Sequence, residues 1–205
     1  MKKLLFILIP LIYSCNNISD DNLIKEIVLA NDVGIVKIDL IAEFDTYNES
    51  YGQSNCGCCC ANLIYSFKDK NNDNLQSLDT IPYLSRIENS DSLKIFSFSI
   101  YHTACIDCNS NGFKINEEYL ELQENMLLQE NTKTMIKLKE IIMINGQLFS
   151  VIGNSSKYSN YVIENIEATT IFKGETITFF GQRKNKQESE FIEDIFRMIK
   201  SIELN

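Results

Sequence analysis

Apolar and polar residues alternate along three parts of the chain, and this period of two predicts β-strands with one buried face. The alternation is nearly strict over Val36–Asp45, and it recurs over Leu63–Phe67 and Ile95–Tyr101. Their charged and hydroxyl side chains fall on the opposite face, as a half-buried strand requires. We expect these segments to belong to an antiparallel sheet.

Two glycine-containing dipeptides predict hairpins in the second half of the chain. Asn145-Gly146 separates the apolar runs at 141–144 and 148–152, and both residues of such a turn must adopt positive φ. Lys173-Gly174 predicts a second hairpin that joins Tyr161–Phe172 to Thr176–Arg183. Four strands are therefore expected between Ile141 and Arg183.

Two segments change to a helical period. Asn116 is predicted to cap a helix that begins at Glu117, because a short polar side chain there can accept from the first free backbone N–H groups. Its apolar face is predicted to consist of Tyr119, Leu122, Met126 and Leu127. A second helix is predicted near the C-terminus, with Asn185 and Glu188 as its capping pair. Its apolar stripe comprises Phe191, Ile195, Met198, Ile199 and Ile202.

The order of these elements predicts the fold class α+β, an antiparallel sheet with two main helices packed on it. No repeat or domain-scale linker interrupts residues 26–205, which we expect to form a single domain. The order strand, helix, two hairpins and terminal helix over Ile95–Leu204 resembles that of PsbP-like lipoprotein domains. Proteins of that kind mostly bind or scaffold, so the resemblance implies little about chemistry.

The first residues resemble a bacterial lipoprotein precursor. Lys2 and Lys3 precede an apolar stretch, Leu4–Tyr13, which as a helix would cover only about half of a ~30 Å hydrocarbon core. The run Leu11-Ile12-Tyr13-Ser14-Cys15 then resembles a lipobox, which implies removal of residues 1–14 and acylation of Cys15. The alternatives are a secretory signal that is cut elsewhere and an N-terminal strand.

Residues 15–25 are expected to form a flexible lipid tether, since they are largely polar and acidic. Ser19-Asp20-Asp21 resembles the acidic export signal of surface-displayed lipoproteins. We therefore expect attachment to the outer membrane through N-terminal acyl chains such as palmitate, with the periplasmic or surface-exposed face left undecided.

Charge excludes one class of partner. The formal net charge of −9 becomes −11 once Lys2 and Lys3 are removed with the leader. An anionic domain is not attracted to phosphate backbones, so we expect no nucleic-acid partner. The expected partner is therefore an unknown envelope protein or a small ligand.

Six cysteines remain besides Cys15, which is the even number expected for disulfides outside the cytoplasm. Four precede the strand at Leu63–Phe67, and two follow the strand at Ile95–Tyr101. If these strands are antiparallel neighbours, all six thiols lie near one end of the sheet. A bridge between the two groups would close a loop of about 45–50 residues and contribute ~4 kcal/mol. The six are Cys56, Cys58, Cys59, Cys60, Cys105 and Cys108.

Two other hypotheses use the same cysteines. With His102 as a further ligand, the thiolates could form a soft pocket for Zn²⁺ or Cu(I), although the spacing matches no standard zinc finger. Alternatively Cys105-Ile-Asp-Cys108 could exchange disulfides, but a turn-forming sequence follows it where a thioredoxin-like site needs a helix. If the cysteines do not bind a metal ion, we expect the protein to have no cofactor.

No catalytic constellation stands out. His102 is the only histidine and is expected to be a surface imidazole at a strand end. The carboxylates fall on outward strand faces and in first helical turns, where solvation is the default. We therefore expect a binding or scaffold protein rather than an enzyme.

Overall fold

The structure, a computed structural model, describes residues 23–30, 32–44, 46–53, 61–68, 95–103, 114–130 and 133–205. Over these residues the chain forms ten strands and two helices. The helices are α1, Glu117–Glu130, and α2, Phe191–Lys200. The strands are β1 Leu23–Leu29, β2 Gly34–Leu40, β3 Thr46–Gln53, β4 Ala61–Lys68, β5 Ile95–Thr103, β6 Thr134–Ile144, β7 Gln147–Lys157, β8 Val162–Phe172, β9 Glu175–Asn185 and β10 Glu203–Leu204.

The strands form two antiparallel sheets. The larger sheet has seven strands in the order β3-β4-β5-β9-β8-β7-β6, and the smaller has three in the order β1-β2-β10. Because β5 pairs with β9, the strands β3, β4 and β5 form one continuous sheet with β6 to β9. All strand pairs in both sheets are antiparallel.

The predicted fold class, α+β with two helices packed on one antiparallel sheet, is wrong. Strands predominate among the described residues, and they divide between two sheets. The physical reason is that the strand predicted over Val36–Asp45 ends at Leu40, where a turn closed by Phe44 N–H donating to the Ile41 carbonyl redirects the chain. β2 pairs with β1 and β10 and never joins the seven-stranded sheet.

The sequence predictions for the remaining strands are confirmed. Leu63–Phe67 and Ile95–Tyr101 lie in β4 and β5. Asn145 and Gly146 adopt φ of 45° and 85° in the β6–β7 turn, and Lys173 and Gly174 adopt 49° and 85° in the β8–β9 turn. Both turns therefore use the left-handed region that tight hairpins need.

The main core lies between the two sheets and encloses α2. The predicted stripe of α2 is confirmed, since Phe191, Ile195, Met198, Ile199 and Ile202 are all at most 3% exposed. The backbone of the large sheet accommodates this helix at Gly181, where an added Cβ would lie 3.0 Å from Ile195 Cγ2. Close packing between a helix and a glycine on the sheet therefore fixes α2.

The predicted cap of α2 is wrong. The residue before α2 is Glu190, which makes no side-chain cap. Asn185 instead accepts from the N–H of Lys186, and Glu188 accepts from Ser155 on β7. The helix begins later than predicted because Ser189 and its surroundings are tied to the sheet: the Ser189 N–H and hydroxyl both donate to Glu164 on β8.

The start of α1 is confirmed, but two of the four residues of its predicted apolar face, Leu122 and Met126, are exposed, whereas Tyr119 and Leu127 are half-buried. Asn116 Oδ1 accepts from the Tyr119 N–H at 2.9 Å, as a capping residue does. Leu122 and Met126 are 55% and 49% exposed, whereas Leu120 and Gln123 are buried. The helix is rotated so that Gln123 faces the sheet, because the surface opposite it is polar.

Among the described residues, no helix combines the length and apolar character needed to cross a bilayer.

Candidate functional site

Three strand ends meet at one end of the large sheet, where the cysteine-bearing segments leave it. Gln53 at the end of β3 pairs with Ala61 at the start of β4. Asn62, the next residue of β4, pairs with Thr103 at the end of β5. β4 and β5 are therefore antiparallel neighbours, which is the arrangement that the cysteine hypotheses require.

The predicted site residues themselves lie mostly outside the described residues. Cys60 directly precedes Ala61 in sequence and Cys105 follows Thr103 by two residues. His102 lies in β5 at a register position between Leu63 and Ile177, so its backbone belongs to the sheet interior rather than to a turn. The predicted site residues that lie outside the described parts of the chain are Cys15, Cys56, Cys58, Cys59, Cys60, Cys105 and Cys108.

Within the parts of the chain that the structure describes, no three histidine, cysteine, aspartate or glutamate side chains are grouped closely enough to hold a metal ion. The Zn²⁺ or Cu(I) hypothesis therefore depends on the cysteine segments and stays a prediction.

A buried polar cluster lies between α1 and the large sheet. Gln123 on α1 donates from Nε2 to Glu167 Oε1 at 2.8 Å, and its Oε1 accepts from the Ser150 hydroxyl at 2.6 Å. The Thr169 hydroxyl lies 3.3 Å from Glu167 Oε1 and 3.1 Å from the Thr178 hydroxyl. This chain of contacts connects the helix to β7, β8 and β9.

Tyr119 on α1 completes this cluster. Burial, followed by the negative charge of Glu167, raises the pKa of Tyr119 to about 12. The phenol is therefore neutral at physiological pH. It contributes a hydroxyl, rather than a phenolate, beside the Glu167 carboxylate.

A second polar row crosses the same face of the sheet, two residues along β8 from Glu167. The register places Asn154, Asn165 and Gln182 side by side on β7, β8 and β9. Asn165 donates to Asn154 Oδ1 at 3.2 Å, and Gln182 donates to Asn165 Oδ1 at 2.7 Å. All three are at most 6% exposed. A buried amide row needs this mutual pairing, because an unpaired amide there would be costly.

Two lysine–tyrosine contacts border the amide row. The rings of Tyr158 and Tyr161 stack at 4.6 Å between centroids. The Lys184 ammonium lies 4.4 Å from the Tyr161 centroid, and that of Lys133 lies 5.3 Å from Tyr158. Lys184 is only 4% exposed, so the aromatic face compensates part of the cost of burying its charge.

A shallow surface pocket of about 330 Å³ lies where β6 passes α2. The Lys200 ammonium at its rim lies 4.2 Å from the Phe196 ring. Its walls combine acidic, basic and apolar side chains. The lining residues are Glu140, Ile142, Met143, Ile144, Asn145, Phe196 and Lys200.

Neither polar row is predicted from the sequence, because polar positions of alternating strands are expected to face solvent. A signal was present: Asn165, Glu167 and Thr169 alternate on β8, and Thr178 and Gln182 lie on the same face of β9. Neutral amides and hydroxyls predominate in these rows, whereas solvated strand faces usually carry many charges.

Comparisons with known proteins give little. No protein-family model and no curated protein matches the chain. Among solved structures it is similar to LpqN, which is involved in cell envelope biogenesis in Mycobacterium tuberculosis. The identity is 10%, the TM-score is 0.39, and the alignment covers 90% of this chain and 93% of LpqN. A likeness at this level supports no inference about this chain.

Proposed function

We propose that the chain is a lipid-anchored lipoprotein of the bacterial outer membrane, acylated on Cys15, whose folded domain has a binding or scaffold role rather than a catalytic one. One observation carries the proposal: the lipobox-like run ends at Cys15, directly behind Lys2, Lys3 and an apolar stretch too short to span a bilayer. Several acyl chains on one residue give stable anchoring, whereas a single chain is marginal.

The polar cluster between α1 and the sheet is consistent with a scaffold role. Gln123 and Asn165 form hydrogen bonds with partners inside the protein, at distances of 2.6 to 3.2 Å. The Gln123 bonds hold α1 on the sheet, and the Asn165 bonds join β7, β8 and β9. These hydrogen bonds order the domain, so a partner would be bound by its exposed surfaces.

Metabolic labelling with an alkyne fatty acid tests the anchor. The full chain is expressed in a Gram-negative host, labelled, and its mature form is weighed intact. We expect loss of residues 1–14 and incorporation of label, both abolished by Cys15→Ser. Ser14→Ala is the matched control, because alanine keeps the small residue that the lipobox needs before the cysteine. An unlabelled, uncleaved wild-type chain would contradict the proposal.

For the six remaining cysteines we propose structural disulfides, at most two of which can join the cysteines at 56–60 to Cys105 and Cys108. Thiolate capture of Zn²⁺ or Cu(I) is the second candidate. Support for either comes from the pairing of Asn62 with Thr103, which brings the flanking strand ends together. A bridge from one segment to the other then needs no rearrangement of the sheet.

Alkylation of the intact protein separates the two candidates. With disulfides, the unreduced chain takes up no alkylating agent, and reduction exposes six thiols. With a metal site, chelation alone exposes them and the metal appears in native mass spectra. The Cys105→Ser variant sharpens the test: under the disulfide hypothesis it leaves one partner cysteine reactive without reduction.

A further inference from the structure

The first strand of the folded domain exposes apolar side chains on its outer face. Ile24 and Val28 are 69% and 71% exposed, and they share this face because residues two and four apart in a strand point the same way. Glu26 lies between them and pairs with Lys37 on β2 at 2.8 Å. We call Ile24, Glu26 and Val28 the β1 outer face.

The opposite face of β1 is already used. Ile27 and Leu29 are at most 3% exposed and belong to the main core. β1 is also an edge strand of the small sheet, with β2 as its neighbour. A soluble edge strand of this kind usually carries charge on its outward positions, so exposed isoleucine and valine indicate a surface that something apolar covers.

The position of β1 in the chain identifies what covers it. Seven residues, 16 to 22, separate Cys15 from Leu23. A fully extended chain of that length spans at most about 28 Å. If Cys15 is acylated, β1 is therefore the element held nearest to the bilayer, and the domain cannot turn its far side toward the lipid without straining the tether.

We propose that the β1 outer face rests on the phospholipid surface, with Ile24 and Val28 inserted at the interface; this rests on the proposed acylation of Cys15. The Glu26–Lys37 pair cancels the charge between the two apolar residues. Asp39 on β2, which pairs with Ile24, and Glu203 on β10, which pairs with Lys37, share the face. These acids favour a zwitterionic headgroup layer over an anionic one.

Single-tryptophan reporters test the contact directly, because the chain has no tryptophan. The full acylated protein carrying Ile24→Trp or Val28→Trp is reconstituted into phosphatidylcholine vesicles, with or without brominated acyl chains. Leu122→Trp is the matched control: Leu122 is 55% exposed on α1, beyond the large sheet from β1. Intact mass confirms acylation of each sample before the measurement.

We expect bromination to quench roughly half of the Ile24→Trp emission, because an interfacial side chain lies within reach of the acyl chains. Val28→Trp should be quenched next, and Leu122→Trp essentially not at all. If an acylated, vesicle-bound Ile24→Trp protein shows no more quenching than the control, the inference is overturned. A blue-shifted emission without quenching overturns it too, in favour of a protein partner or a second copy. An unacylated chain contradicts the proposed function instead.

Discussion

The two faces of the seven-stranded sheet hold their helices by different interactions. On one face α2 buries five apolar side chains, from Phe191 to Ile199, in the core that it shares with the small sheet. On the other face α1 buries Leu120 and Gln123 and is connected to the sheet by hydrogen bonds. Apolar burial contributes ~1.5–3 kcal/mol per large side chain, whereas a hydrogen bond contributes about 1.

This difference predicts different responses to mutation. The α2 face should control the global stability of the domain, because its core is continuous with both sheets. The α1 face should control a more local equilibrium, in which the helix detaches while the strands stay paired.

The largest effect is expected from Ile195→Ala. Ile195 is fully buried and contacts Gly181 on β9, so truncation leaves a cavity that the sheet backbone cannot fill. We expect a loss of ~2–5 kcal/mol in the free energy of unfolding, measured by urea denaturation. Ile195→Val is the control, with an expected loss of ~0.5–1.5 kcal/mol. Similar losses for both variants would mean that α2 does not pack as tightly as Gly181 indicates.

The next effect is expected from Gln123→Ala, which removes two of the hydrogen bonds between α1 and the sheet. The buried Ser150 loses an acceptor and the half-buried Glu167 loses a donor, so we expect a cost of ~1–3 kcal/mol. Hydrogen exchange should accelerate in α1 more than in β8. Gln129→Ala on the exposed side of the same helix is the control. Equal acceleration in α1 and β8 would contradict local detachment.

The amide row gives a prediction that concerns the sheet rather than the helix. Asn165 is bonded to both Asn154 and Gln182, so Asn165→Ala leaves two buried amides without that partner. We expect a loss of ~1–3 kcal/mol that appears in global unfolding. The same substitution at the exposed Asn160 should be nearly silent. If Asn165→Ala instead affected only α1, the two polar rows would be one cooperative unit.

The contrast between the faces also explains what the sequence could predict. The stripe of α2 is continuous because its opposing surface is apolar, so periodicity alone located it. The predicted face of α1 is wrong at Leu122 and Met126, because their apolar side chains are typical of core residues and that of Gln123 is not. Which side of a weakly amphipathic helix is buried depends on the chemistry of a sheet assembled from distant segments, and no local pattern contains that information.

The same limit applies to the fold and the candidate site. Most strand positions and both tight turns follow from alternation and from the dipeptides Asn145-Gly146 and Lys173-Gly174, which are local signals. The division into two sheets depended on a turn at Ile41–Phe44 that interrupts an otherwise regular alternation. The cysteine hypotheses assume that β4 and β5 are neighbouring strands. The pairing of these strands and its register are properties of the assembled sheet.

The smallest effect is expected at Glu188, which connects the segment before α2 to the edge of the sheet. Its carboxylate accepts from the Ser155 hydroxyl at 2.9 Å and lies 3.2 Å from Lys137 and 3.5 Å from Lys157. The hydrogen bond from Ser155, followed by that from Lys137, lowers the pKa of Glu188 below its ordinary value of 4.5. The group therefore stabilises the fold above pH 4.5, and this contribution is lost as pH falls through the lowered pKa.

Glu188→Gln should consequently lower the Tm slightly at pH 7, and the difference from wild type should shrink as the pH is taken below 4.5. Glu193→Gln removes the same formal charge from the exposed first turn of α2 and serves as the control. Thermal melts of the three proteins at several pH values provide the measurement. A Glu188→Gln difference that stays constant down to pH 3 would mean that neutral packing, rather than the charged pairs with Lys137 and Lys157, holds this segment against β6 and β7.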